Sequence, residues 1–438
     1  MPDFIFPLPP LQEVVLPNAT LPAQVPVVKD LVELLPKDPI QLEQTVTYQW
    51  GVVRRKETKV FVTPTMPGEH VFVVEVDDEK GMRHSVRCRI TVNPDPKSLW
   101  KIIDPPEDAK YRKPHTATIA FDNGGWRPDG VNRHVRIIGA SRRGRAHENG
   151  GSFRDDDMGF LWNKNMFLLA VADGAGSARF SREGSRLAVK NALASAQESL
   201  SKTWPKNLED VGKALVRAAY SGFESIAKLV DGENKETDST DKPVEWRDFN
   251  TTLLLAAVRR GFFGKTQIVA FSIGDGAIAW CSHSGGKLMC APDTGTAGGE
   301  TRFITTPTIW KNASSNWDSF RGRIFTIEVP DREAKTGCLV MMSDGVSDPF
   351  FETNEDLSDV DQWKNFLKEL PTTPDDFSGS SDPESEANRL LDWLSFYRTG
   401  NHDDRTILIL RPRTTPWFTT CRASNASENH HAPQQRKS

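Results

Sequence analysis

The sequence predicts an α+β chain in two parts, a small β-sandwich followed by a larger domain of buried strands and amphipathic helices. Three observations carry this. Between Thr45 and Val92, short runs rich in Val, Thr and aromatic residues are spaced by turn signals. Ser181–Leu200 and Val211–Leu229 repeat apolar residues at helical spacing. Phe167 to Ala172, Cys338 to Met342 and Thr406 to Leu410 have the length and apolar content of strands buried on at least one face.

In chain order, residues 1–44 are rich in Pro and read as an extended arm, with a short helix around Val28–Leu35. Residues 45–94 form the sandwich, from Thr45–Trp50 through Lys59–Thr63 and His70–Val76 to Ser85–Val92. Residues 95–114, with Pro96, Pro105, Pro106 and Pro114, read as a linker, so chemistry should survive removal of everything before about residue 112. The larger domain runs over residues 115–412. After its two helices comes a polar, acidic loop at 231–247, then strands Thr251–Val258, Gln267–Ile273 and Ala277–Trp280. Residues 284–322 are rich in Gly, Thr and Ser and read as a long flap, Asp361–Leu370 and Glu384–Arg398 as helices, and 413–438 as a disordered tail.

The 438 residues suffice for two or three domains, and a formal net charge of −4 argues against a nucleic-acid partner. No apolar run reaches the roughly 18 residues of a membrane span, so no membrane partner is expected. Met1-Pro2-Asp3-Phe4 lacks the basic start of a secretory signal, and the five cysteines lack metal-ligand spacing. The expected setting is cytoplasmic.

The chemistry is concentrated in acidic motifs: Asp155-Asp156-Asp157, Ala172-Asp173-Gly174, Ser343-Asp344-Gly345 and Asp403-Asp404. Each alone reads as turn chemistry, since Asp-Gly pairs are common turn formers. Three of them abut strongly apolar strands, however, where an uncompensated carboxylate is costly. Their convergence points to a cation, and oxygen-only ligands suit Mg²⁺ or Mn²⁺.

The series Ile138-Gly139-Ala140-Ser141, His147, Asp156-Asp157, Asp173-Gly174, Phe249-Asn250-Thr251-Thr252, Ser272-Ile273-Gly274-Asp275-Gly276, Ser343-Asp344-Gly345 and Asp403-Asp404-Arg405-Thr406 resembles the metal-dependent serine/threonine phosphatases of type 2C, of bacterial type. The 45–94 segment resembles immunoglobulin-like modules. The first resemblance implies a four-layer αββα sandwich of two antiparallel sheets. It also implies hydrolysis of phosphoserine or phosphothreonine on proteins by a metal-activated water. Two Mn²⁺ or Mg²⁺ ions are implied, with a third, weaker one in bacterial members. By that resemblance Asp173 bridges the metals, Gly174 lends its carbonyl, and Asp344 and Asp404 complete the first site. Asp156 and Asp157 lie close by, and Asp275 joins Asp344 at the third metal. Where relatives often carry a phosphate-gripping Arg, five residues before Asp157, this chain has Ser152, which leaves Arg154, Arg142 and Arg143 as candidates. Ala175 stands where a His proposed as general acid sometimes follows the Asp-Gly pair. The implied partners are a phosphorylated protein and a cognate kinase, with the N-terminal module binding a protein. The alternatives are a catalytically weak sensor on the same fold and a small-molecule phosphohydrolase.

Overall fold

The computed structural model describes residues 12–21, 26–35, 43–123, 135–163, 166–236, 242–260, 265–282, 285–290, 292, 301–311, 317–334, 337–371 and 382–412. The expected tail from residue 413 and part of the expected flap (residues 284, 291, 293–300 and 312–316) lie outside them, and the flap's described part corrects the expected loop, with a strand at Gly285–Cys290 and a helical turn at Pro307–Trp310. The chain divides into two compact units, Met1–Lys101 and Ile102–Ser438.

The first unit holds β1 (Gln12–Val15), β2 (Ala19–Thr20), β3 (Val27–Asp30), β4 (Gln44–Tyr48), β5 (Gly51–Lys56), β6 (Lys59–Pro64), β7 (Gly68–Asp77), β8 (Arg83–Asn93) and the turn-length α1 (Pro96–Leu99). One sheet has β1 and β2 pairing β8 in parallel with β7 on its other side, and the second runs β3-β6-β5-β4. Strand alternation sends Phe72, Val74 and Val76 of β7 inward onto Val86, Cys88 and Ile90 of β8. The expected arm is therefore corrected for its described part. Leu16, Ala19, Leu31 and Leu35 belong to the same core, and strand β3 with a turn replaces the expected helix. A Pro-rich sequence hid strands whose partners lie some 70 positions away.

The second unit comprises β9 (Thr116–Asp122), β10 (Val135–Arg142), α2 (Arg145–Gly150), β11 (Asp157–Asn163), β12 (Met166–Ala172), α3 (Ser181–Leu200), α4 (Leu208–Glu236), β13 (Leu253–Arg260), β14 (Lys265–Ile273), β15 (Ala277–Ser282) and β16 (Gly285–Cys290). After these come α5 (Pro307–Trp310), β17 (Ile324–Pro330), α6 (Asp331–Ala334), β18 (Cys338–Met342), α7 (Asp344–Ser347), α8 (Asn354–Ser358), α9 (Val360–Glu369), α10 (Pro383–Trp393) and β19 (Arg405–Pro412). Two antiparallel sheets result, β16-β15-β18-β19-β10-β9 and β11-β12-β13-β14-β17. The central strands are apolar throughout because both faces are covered. In β12, Phe167, Leu169 and Val171 meet Leu408, Leu410 and Met341 of the other sheet, while Leu168, Ala170 and Ala172 meet α3 and α4. On the far side, Val340, Ile407 and Ile409 pack on Trp363, Phe366 and Leu390 from α9 and α10. This is the four-layer αββα sandwich. Helix α4 runs on to Glu236, past the predicted end.

The predicted linker is also corrected. Residues 102–115 belong to the second unit and are fastened along it. Ile103 N donates to the Glu148 carbonyl at 2.9 Å, and Arg143 N to the His115 carbonyl at 2.8 Å. Tyr111 packs edge-on against Phe180 and Phe249.

Candidate metal centre

The antiparallel registers bring the acidic motifs to one end of the sandwich. Asp157 opens β11 opposite Ala172, so Asp173 leaves β12 beside it. Met342 of β18 lies between Ala277 of β15 and Ile407 of β19. Asp344, Asp275 and the Asp403-Asp404 pair therefore reach the same rim. Close backbone approach fixes these turns. A Cβ on Gly345 would sit 1.8 Å from the Asp404 carbonyl oxygen, and one on Gly174 2.7 Å from that of Asp155. The Asp173 carbonyl accepts from Thr252 N and Thr251 Oγ1, both at 2.8 Å.

Some of these acids are satisfied by the protein and some are not. Asp404 is 1% exposed, and its Oδ1 accepts from Gly144 N at 2.5 Å and meets His147 Nδ1 at 3.1 Å. Its Oδ2 accepts from Asp155 N. Burial would raise its pKa, but the His147 hydrogen bond and charge and the two backbone N–H groups hold it below the usual range. Reciprocally, His147 is pushed up to about 9: burial would lower it, and the Asp404 bond and charge, then Asp155, outweigh that. Asp157 pairs with Lys113 Nζ at 3.1 Å.

The others carry orphaned atoms. Buried Oδ1 of Asp155, Oδ1 of Asp156, Oδ2 of Asp173 and Oδ1 of Asp344 have no hydrogen-bond partner among the described residues. Burial, followed by the charges of Asp156 and Asp344, pushes Asp173 well above the carboxylate range. Asp156 is raised by burial and then by Asp404, even though Ser343 Oγ donates to its Oδ2 at 2.8 Å. Asp344 is pushed up to about 7, chiefly by burial, with Asp275, Asp403 and Asp348 adding repulsion. Asp155 reaches about 6, chiefly through burial, which the His147 charge only partly offsets. Such a crowd of buried, repelling, half-satisfied oxygens fits the donor set of a hard divalent cation. Asp403, at the solvent-facing edge of this group, shares the field of Asp275 and Asp404. Asp275 accepts from Thr301 Oγ1 at 2.5 Å.

The three arginines expected at the phosphate are placed elsewhere. Arg154 is 2% exposed and donates to the Pro114 carbonyl, Ser141 Oγ and the Asp156 carbonyl. Arg143 is spent on His115 and on the Ile103 and His147 carbonyls. Arg142 pairs in register with Arg405, whose guanidinium caps carbonyls near the end of α10, so it lies on the helix-covered face of its sheet. Ser141, one residue earlier, faces the other way and bonds Thr406 Oγ1 at 2.6 Å. Two members of the centre had no role assigned from sequence. Lys113 carries no periodic signal among its prolines. His147 reads as a lone loop histidine until Asp404 is brought across from β19.

Among solved structures, the catalytic domain of the serine/threonine protein phosphatase PstP in complex with two manganese ions is 17% identical, with a TM-score of 0.36 over 63% of this chain and 97% of that one. The Mycobacterium tuberculosis phosphatase PstP/Ppp is 18% identical, with a TM-score of 0.36 over 63% and 98%. The SiaA-PP2C domain of Pseudomonas aeruginosa is 14% identical, with a TM-score of 0.34 over 59% and 80%. No curated protein matches the chain. A family model described as protein phosphatase 2C matches residues 143–395, more than half of the chain, and the chain belongs to that family.

Proposed function

We propose that this chain hydrolyses phosphoserine and phosphothreonine on proteins, opposing a partner kinase. The observation that supports it best is the set of buried carboxylate oxygens on Asp155, Asp156, Asp173 and Asp344 that have no hydrogen-bond partner among the described residues. In this reading Asp173, the Gly174 carbonyl, Asp344 and Asp156 would hold Mn²⁺ or Mg²⁺, with Asp403, just ahead of β19, completing the ligands. Asp275 joins Asp344 where a third ion would sit. When bound, the ions supply activation of a water nucleophile and neutralisation of charge on the phosphoryl oxygens.

The protein's own part is positioning. Asp404 takes a different role from the one the resemblance implied. Its oxygens are spent on Gly144, Asp155 and His147, so it ties α2 and the Asp155–Asp157 turn to β19. Asp157 is likewise answered within the protein, by the Lys113 ammonium. The N-terminal unit holds no comparable acid cluster among its described residues and is assigned to protein binding.

The test is hydrolysis of a phosphothreonine peptide beside a small aryl phosphate, with Mn²⁺ or with EDTA. Peptide turnover that requires the ion supports the reading. Undiminished turnover in excess EDTA removes the metal, and turnover of the aryl ester alone moves the chain to small-molecule chemistry.

A further inference from the structure

Residues 102–115 do more than lead into the second unit. Arg182 grips the segment by donating from Nε to the Tyr111 carbonyl at 2.8 Å and from Nη2 to the Lys110 carbonyl at 2.7 Å. Tyr111 Oη donates to Glu233 of α4 at 2.5 Å, and its backbone is held at a φ of 57°, a conformation few non-glycine residues adopt. That turn delivers Lys113 behind the acidic cluster, where its side chain is 7% exposed.

Burial is the largest influence on Lys113 and disfavours its charge, yet Asp157 answers it at 3.1 Å. The ammonium also donates to Ser185 Oγ at 3.1 Å and to the Arg182 carbonyl at 3.3 Å. Ser185 Oγ in turn donates to the Asp155 carbonyl, the same oxygen that a Cβ on Gly174 would meet at 2.7 Å. Lys113, Ser185 and the Asp155 backbone thus form a short stack ending against the Asp173-Gly174 turn.

We propose that residues 102–115 form a strut of the metal centre in which Lys113, acting through Ser185 and Asp157, positions the Asp155–Asp157 and Asp173–Gly174 turns for the cation. Lys113 is a positioning residue whose ammonium is taken up by Asp157, Ser185 and the Arg182 carbonyl. Electrostatics alone would give the opposite sign, because an ammonium near the cluster repels a divalent cation and its removal would tighten binding. Positioning predicts weaker binding, since partners behind the ligands typically govern about 10- to 100-fold in metal affinity.

The inference rests on the metal-dependent reading above, and Mn²⁺ binding to the full chain by calorimetry, with folding followed by circular dichroism, separates the two. Lys113→Met should raise the Mn²⁺ dissociation constant about tenfold or more and Ser185→Ala several-fold, with Lys113→Arg nearer the wild type. The double variant should bind about as weakly as Lys113→Met alone, because both remove one relay. Unchanged or tighter binding by Lys113→Met, or additive losses in the double variant, overturns the strut. Should Lys113→Met not fold, Ser185→Ala decides, and wild-type affinity there overturns the proposal. A wild-type chain that binds no Mn²⁺ overturns the proposed function along with it.

Discussion

Asp403 and Asp404 are adjacent in sequence and opposite in circumstance. Asp404 is enclosed, bonded by two backbone N–H groups and an imidazole, and held ionised by them. Asp403 is at the solvent-facing rim, in the field of Asp404 and Asp275. The same division runs through the whole rim, with Asp157 and Asp404 neutralised by the protein and Asp156, Asp173 and Asp344 left with bare oxygens. A carboxylate already answered by protein cations and amides is structural, whereas one buried without an answer awaits a cation from outside.

The largest effect should come from the unanswered acids. Asp173→Asn and Asp344→Asn should each lower metal-dependent turnover by several orders of magnitude, because phosphoryl transfer of this kind offers little beyond positioning and charge neutralisation. Their metal-free melting temperatures should hold or rise, since like charges no longer repel. Near wild-type turnover with normal Mn²⁺ binding would dissolve the contrast.

Next comes the adjacent pair. Asp404→Asn breaks a buried ion pair and should destabilise the fold by about 3 kcal/mol or more, visible as a shifted urea midpoint. Asp403→Asn should leave the midpoint within about 0.5 kcal/mol while weakening Mn²⁺ activation, as exposed positions rarely contribute more. Equal melting of the two variants would mean that Asp404 is not structural.

A smaller effect concerns pH. The Asp344 carboxyl is raised from the ordinary value to about 7. A raised folded-state pKa stabilises the fold below the unfolded value and loses that contribution as pH climbs through the folded one. Without metal, the stability difference between wild type and Asp344→Asn should therefore move against the wild type between about pH 4 and pH 7, given a free Asp near 3.9. Saturating Mn²⁺ should erase that trend, and a flat difference would show that Asp344 is not crowded.

Smallest of all, Arg142→Ala should leave peptide KM within about twofold, the residue lying on the helix-covered face of its sheet. Arg154→Ala should show itself in melting rather than in KM, because its guanidinium holds three groups inside the fold. A large KM effect from either would restore it to the phosphate.

Much of this was legible in the sequence. Apolar runs marked β12, β18 and β19, helical spacing marked α3 and α4, and the order of acidic motifs marked the rim. What stayed hidden depends on direction and distance. Two consecutive aspartates look alike until the fold buries Asp404 against Gly144, His147 and Asp155 and leaves Asp403 exposed beside it. Arg142, Arg143 and Arg154 are near the acids in sequence, yet strand alternation and buried carbonyls take all three away. The N-terminal strands were invisible because proline obscures strand patterning and their parallel partners are remote in the chain.

The pairing of β10 with β19 has a consequence in time. The two strands are central neighbours in their sheet, yet Arg142 and Arg405 stand at opposite ends of the domain's sequence. At a synthesis rate of about 5–20 residues per second, β10 waits roughly 13 to 50 seconds for its neighbour to be made. Until then His147 has no Asp404, Asp344 lacks the strand beside it, and the apolar face of β12 lacks Leu408 and Leu410. A ribosome-bound or prematurely terminated chain is thus a phosphatase that cannot yet act, and also the form most in need of a chaperone.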